Sequence, residues 1–188
     1  MALSIANSCT IHDKVWDDRE REYENITKKY KDSVVKDFSS MFCDLVEAFE
    51  INPFDDYLGH IYMDFIGGNK NLGQEFTPME LCEVCACVSI GYEIPEEVKT
   101  LADECCGGGA MLIAACKHYH THNVNYQKYL KITAGDLDKL CVYMTYVQLS
   151  LIGARAVVYH HNALTQEVYD RFVTPMESMC FPFAMIGI

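Results

Sequence analysis

Apolar residues recur along this chain at two different periods, and the places where the period changes mark out its elements. From Lys14 to Ile51 they return every three or four positions: a highly charged stretch leads into VVKDFSSMFCDLVEAF (34–49), the spacing of a helix with one apolar face. Asn52-Pro53 interrupts the pattern, DDYLGHIYMDFI (55–66) predicts a further short helix, and GGNKNLGQE (67–75) predicts a loop acting as boundary or lid. Thr77-Pro78-Met79-Glu80 then has the form of a helix start. It offers a hydroxyl for the N-cap, a proline for the first helical position and a glutamate three residues after the cap, with the helix running to about Ser89.

Beyond Pro95 short apolar runs alternate with helical ones. VKTLAD (98–103), YLKITAGD (129–136) and ARAVVYH (154–160) predict strands, and MLIAACKHY (111–119) and KLCVYMTYVQLSLI (139–152) predict the helices between them. A last apolar run, FAMIGI (183–188), predicts one more strand. Strands separated by helices make a parallel sheet with crossover helices. The expected class is therefore α/β, a parallel sheet with flanking helices, divided into an N-terminal helical segment (1–70) and a ligand-binding domain (71–188).

Composition narrows the picture. A chain of 188 residues, half of them apolar, can close a hydrophobic core. No apolar run approaches the roughly 20 residues needed to cross a bilayer. MALSIANSCTIHDK (1–14) lacks the basic start and apolar length of a secretory signal, so a cytoplasmic protein with no membrane partner is expected. Many of the ten cysteines sit in apolar segments, where a free thiol behaves as a small hydrophobe, and a reduced interior is expected. Cys82-x-x-Cys85-x-Cys87 offers thiolates at a spacing only partly right for zinc, and core packing is the favoured reading. His118, His120 and His122 follow a helical pattern and read as its solvated end. WDDREREYENITKKYKD (16–32) reads as a solvated helical face, with contact to a partner subunit as the alternative. The formal net charge of -12 opposes unaided binding to a phosphate backbone, so any DNA binding is expected to need a partner.

The candidate chemistry collects at the carboxyl ends of the predicted strands. Asp103 closes the first strand, and Gly107, Gly108 and Gly109 make the turn into the next helix, at the edge where open α/β sheets bind ligands. Leu112 stands where a dinucleotide fingerprint has its third glycine, which argues against NAD; a tight turn with no ligand is the alternative. The second strand ends in Asp136-Leu137-Asp138. Asp136 is placed to accept hydrogen bonds from a ribose diol, while Asp138 suits the N-cap of the following helix. The third ends in His160-His161-Asn162-Ala163-Leu164, where the Asn162 amide can meet the edge of an adenine ring or make an ordinary turn.

Asp103-Glu-Cys-Cys-Gly107-Gly-Gly109-Ala-Met-Leu112 resembles the Asp-Pro-x-x-Gly-x-Gly-x-x-Leu loop of N6-adenine DNA methyltransferases, in particular the modification subunits of type I restriction systems. Gly73 to Pro78 is similar to that family's Gly-Gln-x-(aromatic)-Thr-Pro segment. The stretch from Asp55 to Tyr62 is similar to its Asp-x-Leu-Gly-x-x-Tyr. The resemblance implies a Rossmann-like methyltransferase fold with S-adenosylmethionine lying across the strand ends. It implies that Phe76, Thr77 and Pro78 flank the methionine portion, that Asp103, Cys105 and Gly107 line it with Gly109 in the same turn, that Asp136 holds the ribose, and that Asn162 lies beside the adenine. Two residues depart from the pattern: Asn162 stands in place of Asp, and Glu104 in place of Pro.

FAMIGI resembles the family's fourth strand, which runs into Asn-Pro-Pro-aromatic, the motif that orients the adenine amino group and stacks on the extruded base. Residues 1–188 hold no such motif and no target-recognition region. The resemblance thus implies a site-specific DNA adenine-N6 methyltransferase of the restriction-modification type, with no catalytic residue of its own here. The missing loop and the DNA surface are expected from a methyltransferase or specificity subunit. The alternative is a non-catalytic regulatory module that binds S-adenosylmethionine or a methyltransferase.

Overall fold

The computed structural model describes residues 1–9, 15–65 and 75–180. Four helices lead the chain: α1 (Ala2–Cys9), α2 (Trp16–Thr27), α3 (Asp32–Ile51) and α4 (Tyr57–Phe65). The one helical stretch expected from Lys14 to Ile51 is two helices. The chain leaves α2 through short-range bonds, Lys29 N to Ile26 O and Tyr30 N to Thr27 O, which tighten the last turn and break the helical ladder. α1 has no counterpart in the sequence reading, because eight residues are fewer than an apolar period needs to declare itself.

α2 is more than a solvated face. Arg19 is 3% exposed. Its guanidinium donates to the Arg171 carbonyl at 2.7 Å and lies 4.9 Å from the centroid of the Phe172 ring. Glu22 pairs with Lys139 at 2.7 Å and accepts from the Tyr143 hydroxyl at 2.9 Å. These contacts fasten the leading helices to the elements that follow.

Those elements are α5 (Met79–Ile90), β1 (Lys99–Asp103), α6 (Ala110–Thr121), a one-turn α7 (Tyr126–Tyr129), β2 (Leu130–Asp136), α8 (Lys139–Leu151), β3 (Ala156–Asn162), β4 (Glu167–Val173) and α9 (Pro175–Cys180). The sheet runs β1-β2-β3-β4. Its first three strands are parallel, and β4 is antiparallel to β3. The class is mixed α/β with a mostly parallel sheet, as the alternation of strand and helix implies. The all-parallel expectation fails at β4, because the four residues between β3 and β4 can close a hairpin but not a crossover. The FAMIGI run and residues 67–74 of the expected loop lie outside the described residues. Among the described residues no helix is long and apolar enough to cross a membrane.

One hydrophobic core joins both halves of the chain. Leu3, Ala6, Leu45 and Phe49 from the leading helices and Phe54 from the segment between α3 and α4 pack with Leu112, Ile132, Val158 and Phe172. On β2 and β3 the buried side chains Leu130, Ile132, Ala134, Ala156 and Val158 alternate with half-buried Lys131, Thr133, Val157 and Tyr159, as a strand with one covered face requires. His118 departs from its expected solvated position. Its face of α6 packs on the segment after α5, where its Nε2 lies 2.7 Å from the Gly91 carbonyl. Phe172 is fully buried under Tyr143, Tyr146 and Arg19. Phe172→Ala is expected to cost about 3–5 kcal/mol in denaturant unfolding; a loss under about 1 kcal/mol would contradict this packing of β4.

Candidate cofactor site

The turn after β1 is held from three sides. Asp103 Oδ1 accepts from the Cys105 amide at 3.1 Å, the Cys106 amide donates to the Gly135 carbonyl at 2.9 Å, and Thr145 Oγ1 donates to the Gly107 carbonyl at 2.8 Å. Gly107 and Gly109 have φ of +54° and +95°, the left-handed region that side chains resist. The chain can therefore turn sharply into α6 only with glycine at these places. Burial raises the Asp103 carboxyl above its usual range against the lowering effect of the Cys105 amide, and the charges of Asp136 and Glu104 push it the same way as burial.

A buried polar brace lies beneath the turn. Gln148, fully buried on α8, donates through Nε2 to Asp56 Oδ1 and to the Gly108 carbonyl, both at 2.7 Å, and accepts from the Leu58 amide at 3.0 Å. Asp56 also caps α4, its Oδ1 accepting from the Gly59 amide at 2.9 Å. A Cβ on Gly108 would sit 2.7 Å from both Asp56 carboxylate oxygens, so the turn rests directly on that side chain. α4 continues into the site: Tyr62 stacks on Phe76 at 5.6 Å and 12°, and Phe76 in turn lies against Gly107. Burial first, then the charges of Asp138, Cys141 and Asp136, raises the Tyr62 phenol, whose hydroxyl is hydrogen-bonded to Asp138.

A cleft of about 360 Å³ opens above these residues at the carboxyl ends of β1, β2 and β3. Of the residues expected at a ligand, Phe76, Cys105, Gly107, Asp136 and Asn162 line it. Thr77, Pro78, Asp103 and Gly109 are not among the lining residues. The expected Thr77 cap is not formed: Pro78 takes the N-cap position with ψ of 143°, no side chain caps α5, and the first helical amides donate to the Pro78 carbonyl. Asp138 does cap α8, accepting from the Leu140 amide at 2.9 Å.

Asp136 is the hub of the cleft. Its Oδ2 accepts from the Gly107 amide at 3.0 Å and its Oδ1 from the Asp138 amide at 2.8 Å, which leaves each oxygen a further lone pair for a ligand hydroxyl. Asn162 Oδ1 accepts from the Leu164 and Thr165 amides at 3.0 and 3.2 Å, so its acceptor serves the turn into β4. The cleft also takes in Glu75, Glu104, Leu137, Cys141, Ala163 and Leu164. Leu137 and Leu164 are 46% and 95% exposed, which makes them apolar walls that a flat ring can cover. Leu137 directly follows the strand-end Asp136, and Leu164 stands two residues after the strand-end Asn162. A second cavity of about 590 Å³ between α1, α2, α3 and α8 is lined without any charged side chain and lies away from the strand ends.

The family model for N-6 DNA methylases matches residues 53–177. The chain belongs to the N-6 DNA methylase family. Membership covers the Asp56 cap, the glycine turn, Asp136 and the whole described sheet, while α1, α2 and α3 precede the matched stretch. No curated protein matches the sequence.

Thiol chemistry checks the packing of this family member independently. Burial pushes the Cys106 thiol up to about 12 and Cys82 up to about 11, and both are buried, as are Cys116 and Cys141. At pH 8 an aromatic disulfide reagent is expected to label exposed Cys43 and Cys180 first, exposed Cys105 more slowly because burial and the neighbouring carboxylates raise its thiol, and those four only on unfolding. Rapid native labelling of Cys106 or Cys116 would contradict the described core.

Proposed function

We propose that residues 53–177 form the S-adenosylmethionine-binding part of a DNA adenine-N6 methyltransferase, with a Rossmann-like arrangement and the cofactor lying across the ends of β1, β2 and β3. The observation that carries this reading is the Asp136–Gly107 contact at the mouth of the cleft. A carboxylate prepared for a ribose diol is tied to a glycine turn that a ligand can approach closely. Leu137 and Leu164 would flank the adenine, and Phe76, backed by Tyr62, would cover the methionine end. Bound S-adenosylmethionine supplies an electrophilic methyl group on a sulfonium. The residues described here bind and orient it and exclude water.

Transfer to adenine is assigned on this reading to an Asn-Pro-Pro-aromatic loop outside residues 1–188, and DNA contact to a methyltransferase or specificity subunit. The net charge of -12 supports the need for that partner. It also favours a second reading for the chain by itself, a regulatory module that binds S-adenosylmethionine or a methyltransferase without transferring methyl groups. A cytoplasmic location and a restriction-modification role belong to the first reading. Calorimetric titration of the purified chain with S-adenosylmethionine tests the first reading and the cofactor-binding form of the second: one saturable site is expected, and a folded protein that releases no binding heat and gives no signal in equilibrium dialysis overturns both.

A further inference from the structure

Within the described lining of the cleft stand three carboxylates, Glu75, Glu104 and Asp136, and no Lys or Arg. Glu104 is the unusual one, since it occupies the position after Asp103 where the resembled loop has proline. It is 52% exposed at the side chain and is held from behind by His161, whose Nε2 lies 3.1 Å from Glu104 Oε2. The His161 side chain is only 8% exposed. Its Nε2 has no hydrogen-bond partner, so the approach to Glu104 is close but out of line, a packing contact between polar atoms rather than a directed bond. This reach across the sheet depends on two local features. A Cβ on Gly135, in the strand between them, would run into His161 Nε2, so only glycine leaves the ring its place. The β3–β4 pairing also shifts register between His160 and His161, the kind of irregularity that re-aims a side chain.

The geometry points to Glu104 as a specificity-determining residue that favours the positively charged donor S-adenosylmethionine over its uncharged-sulfur product S-adenosylhomocysteine, with His161 as the positioning residue that holds it at the cleft. This rests on the reading of the cleft as the cofactor site. The two ligands differ by one methyl group and one unit of charge, so shape alone separates them weakly. A third carboxylate in a cleft with no described cation adds attraction that only the charged form gains in full. The device would speed exchange of spent product for fresh donor.

The test is titration of the wild-type chain, Glu104→Gln, His161→Gln and the double variant with each ligand. Glu104→Gln is expected to weaken S-adenosylmethionine about fivefold, the scale of one half-exposed charge contact, while changing S-adenosylhomocysteine by less than about twofold. His161→Gln moves the ratio the same way by a smaller factor, and the double variant matches Glu104→Gln alone, because the histidine acts only through the glutamate. Gly135→Ala, which displaces the ring while leaving both Glu104 and His161 in the sequence, reproduces the His161→Gln ratio and covers the case where that variant melts early. Equal weakening of both ligands, or an unchanged ratio in Glu104→Gln, overturns the proposal while leaving the cofactor site standing. Failure of the wild type to bind either ligand overturns the cofactor reading itself.

Discussion

Asp136→Ala is expected to weaken S-adenosylmethionine binding by about 100-fold or more. A carboxylate that accepts from two ribose hydroxyls makes two charge-assisted hydrogen bonds worth about 1.5–3 kcal/mol each, and about 3 kcal/mol corresponds to more than a hundredfold in affinity. The loss extends past the ribose. Asp136 Oδ2 is the acceptor for the Gly107 amide and Oδ1 for the Asp138 amide, so the alanine variant loosens the glycine turn as well. Asp136→Asn separates the two effects, since it keeps the shape and one acceptor and is expected to lose only about tenfold. Both are read by calorimetry after circular dichroism has confirmed the fold. Wild-type affinity in Asp136→Ala would remove the ribose from this position.

Gln148→Leu is expected to destabilise the protein by about 3–5 kcal/mol, as much as the loss of the Phe172 ring from the core. Leucine fills much of the same space but serves none of the three partners. The Leu58 amide, the Gly108 carbonyl and the Asp56 carboxylate all lose a bond, and the last is a buried charge that leucine cannot compensate. For a chain of this size that loss lowers the melting temperature by about 10 °C. Because Asp56 supports Gly108, cofactor affinity should fall together with stability. Gln148→Glu keeps the volume but sets a second carboxylate against Asp56, and should be at least as damaging. A leucine variant within about 1 kcal/mol of wild type would show that the brace carries little energy.

The contrast between these two residues shows what the sequence made legible. Asp136 ends an apolar run, follows glycine and precedes a helix start, so its place at a strand end could be read without coordinates. The glycine turn was equally plain, because consecutive glycines between a strand and a helix have few other uses. Gln148 lies inside an apolar helical run, where one amide reads as an interruption of the pattern. Its signal was its spacing from Thr145: two polar residues three apart on one face of α8, both buried and both bonded to carbonyls of the glycine turn. β4 was hidden because Glu167, Asp170 and Arg171 dilute its alternation and Phe172 alone is fully buried. Arg19 was misplaced for the opposite reason. It sits in a run so charged that composition argued for solvent, and the Phe172 ring, the Arg171 carbonyl and the Asp170 carboxylate account for its burial. The Thr77 cap failed on local competition, since Pro78 itself adopts the extended ψ of an N-cap and the helix begins one residue later than the hydroxyl requires.

The leading helices also bear on the site. Asp56 and Tyr62 belong to the first 70 residues, yet one supports the glycine turn and the other backs Phe76 and reaches Asp138. A fragment beginning after residue 70 would lose both supports, even though the strands and glycine turn would all be present.

The most direct test of the central claim is a map of backbone amide shifts in isotope-labelled protein during titration with S-adenosylmethionine. The largest changes are expected at Cys105 to Gly109, at Asp136 to Asp138 and at Asn162 to Thr165, with the cavity between α1, α2, α3 and α8 unaffected. Changes confined to that cavity, or none at saturating cofactor in a folded sample, would contradict the assignment of the strand-end cleft as the cofactor site.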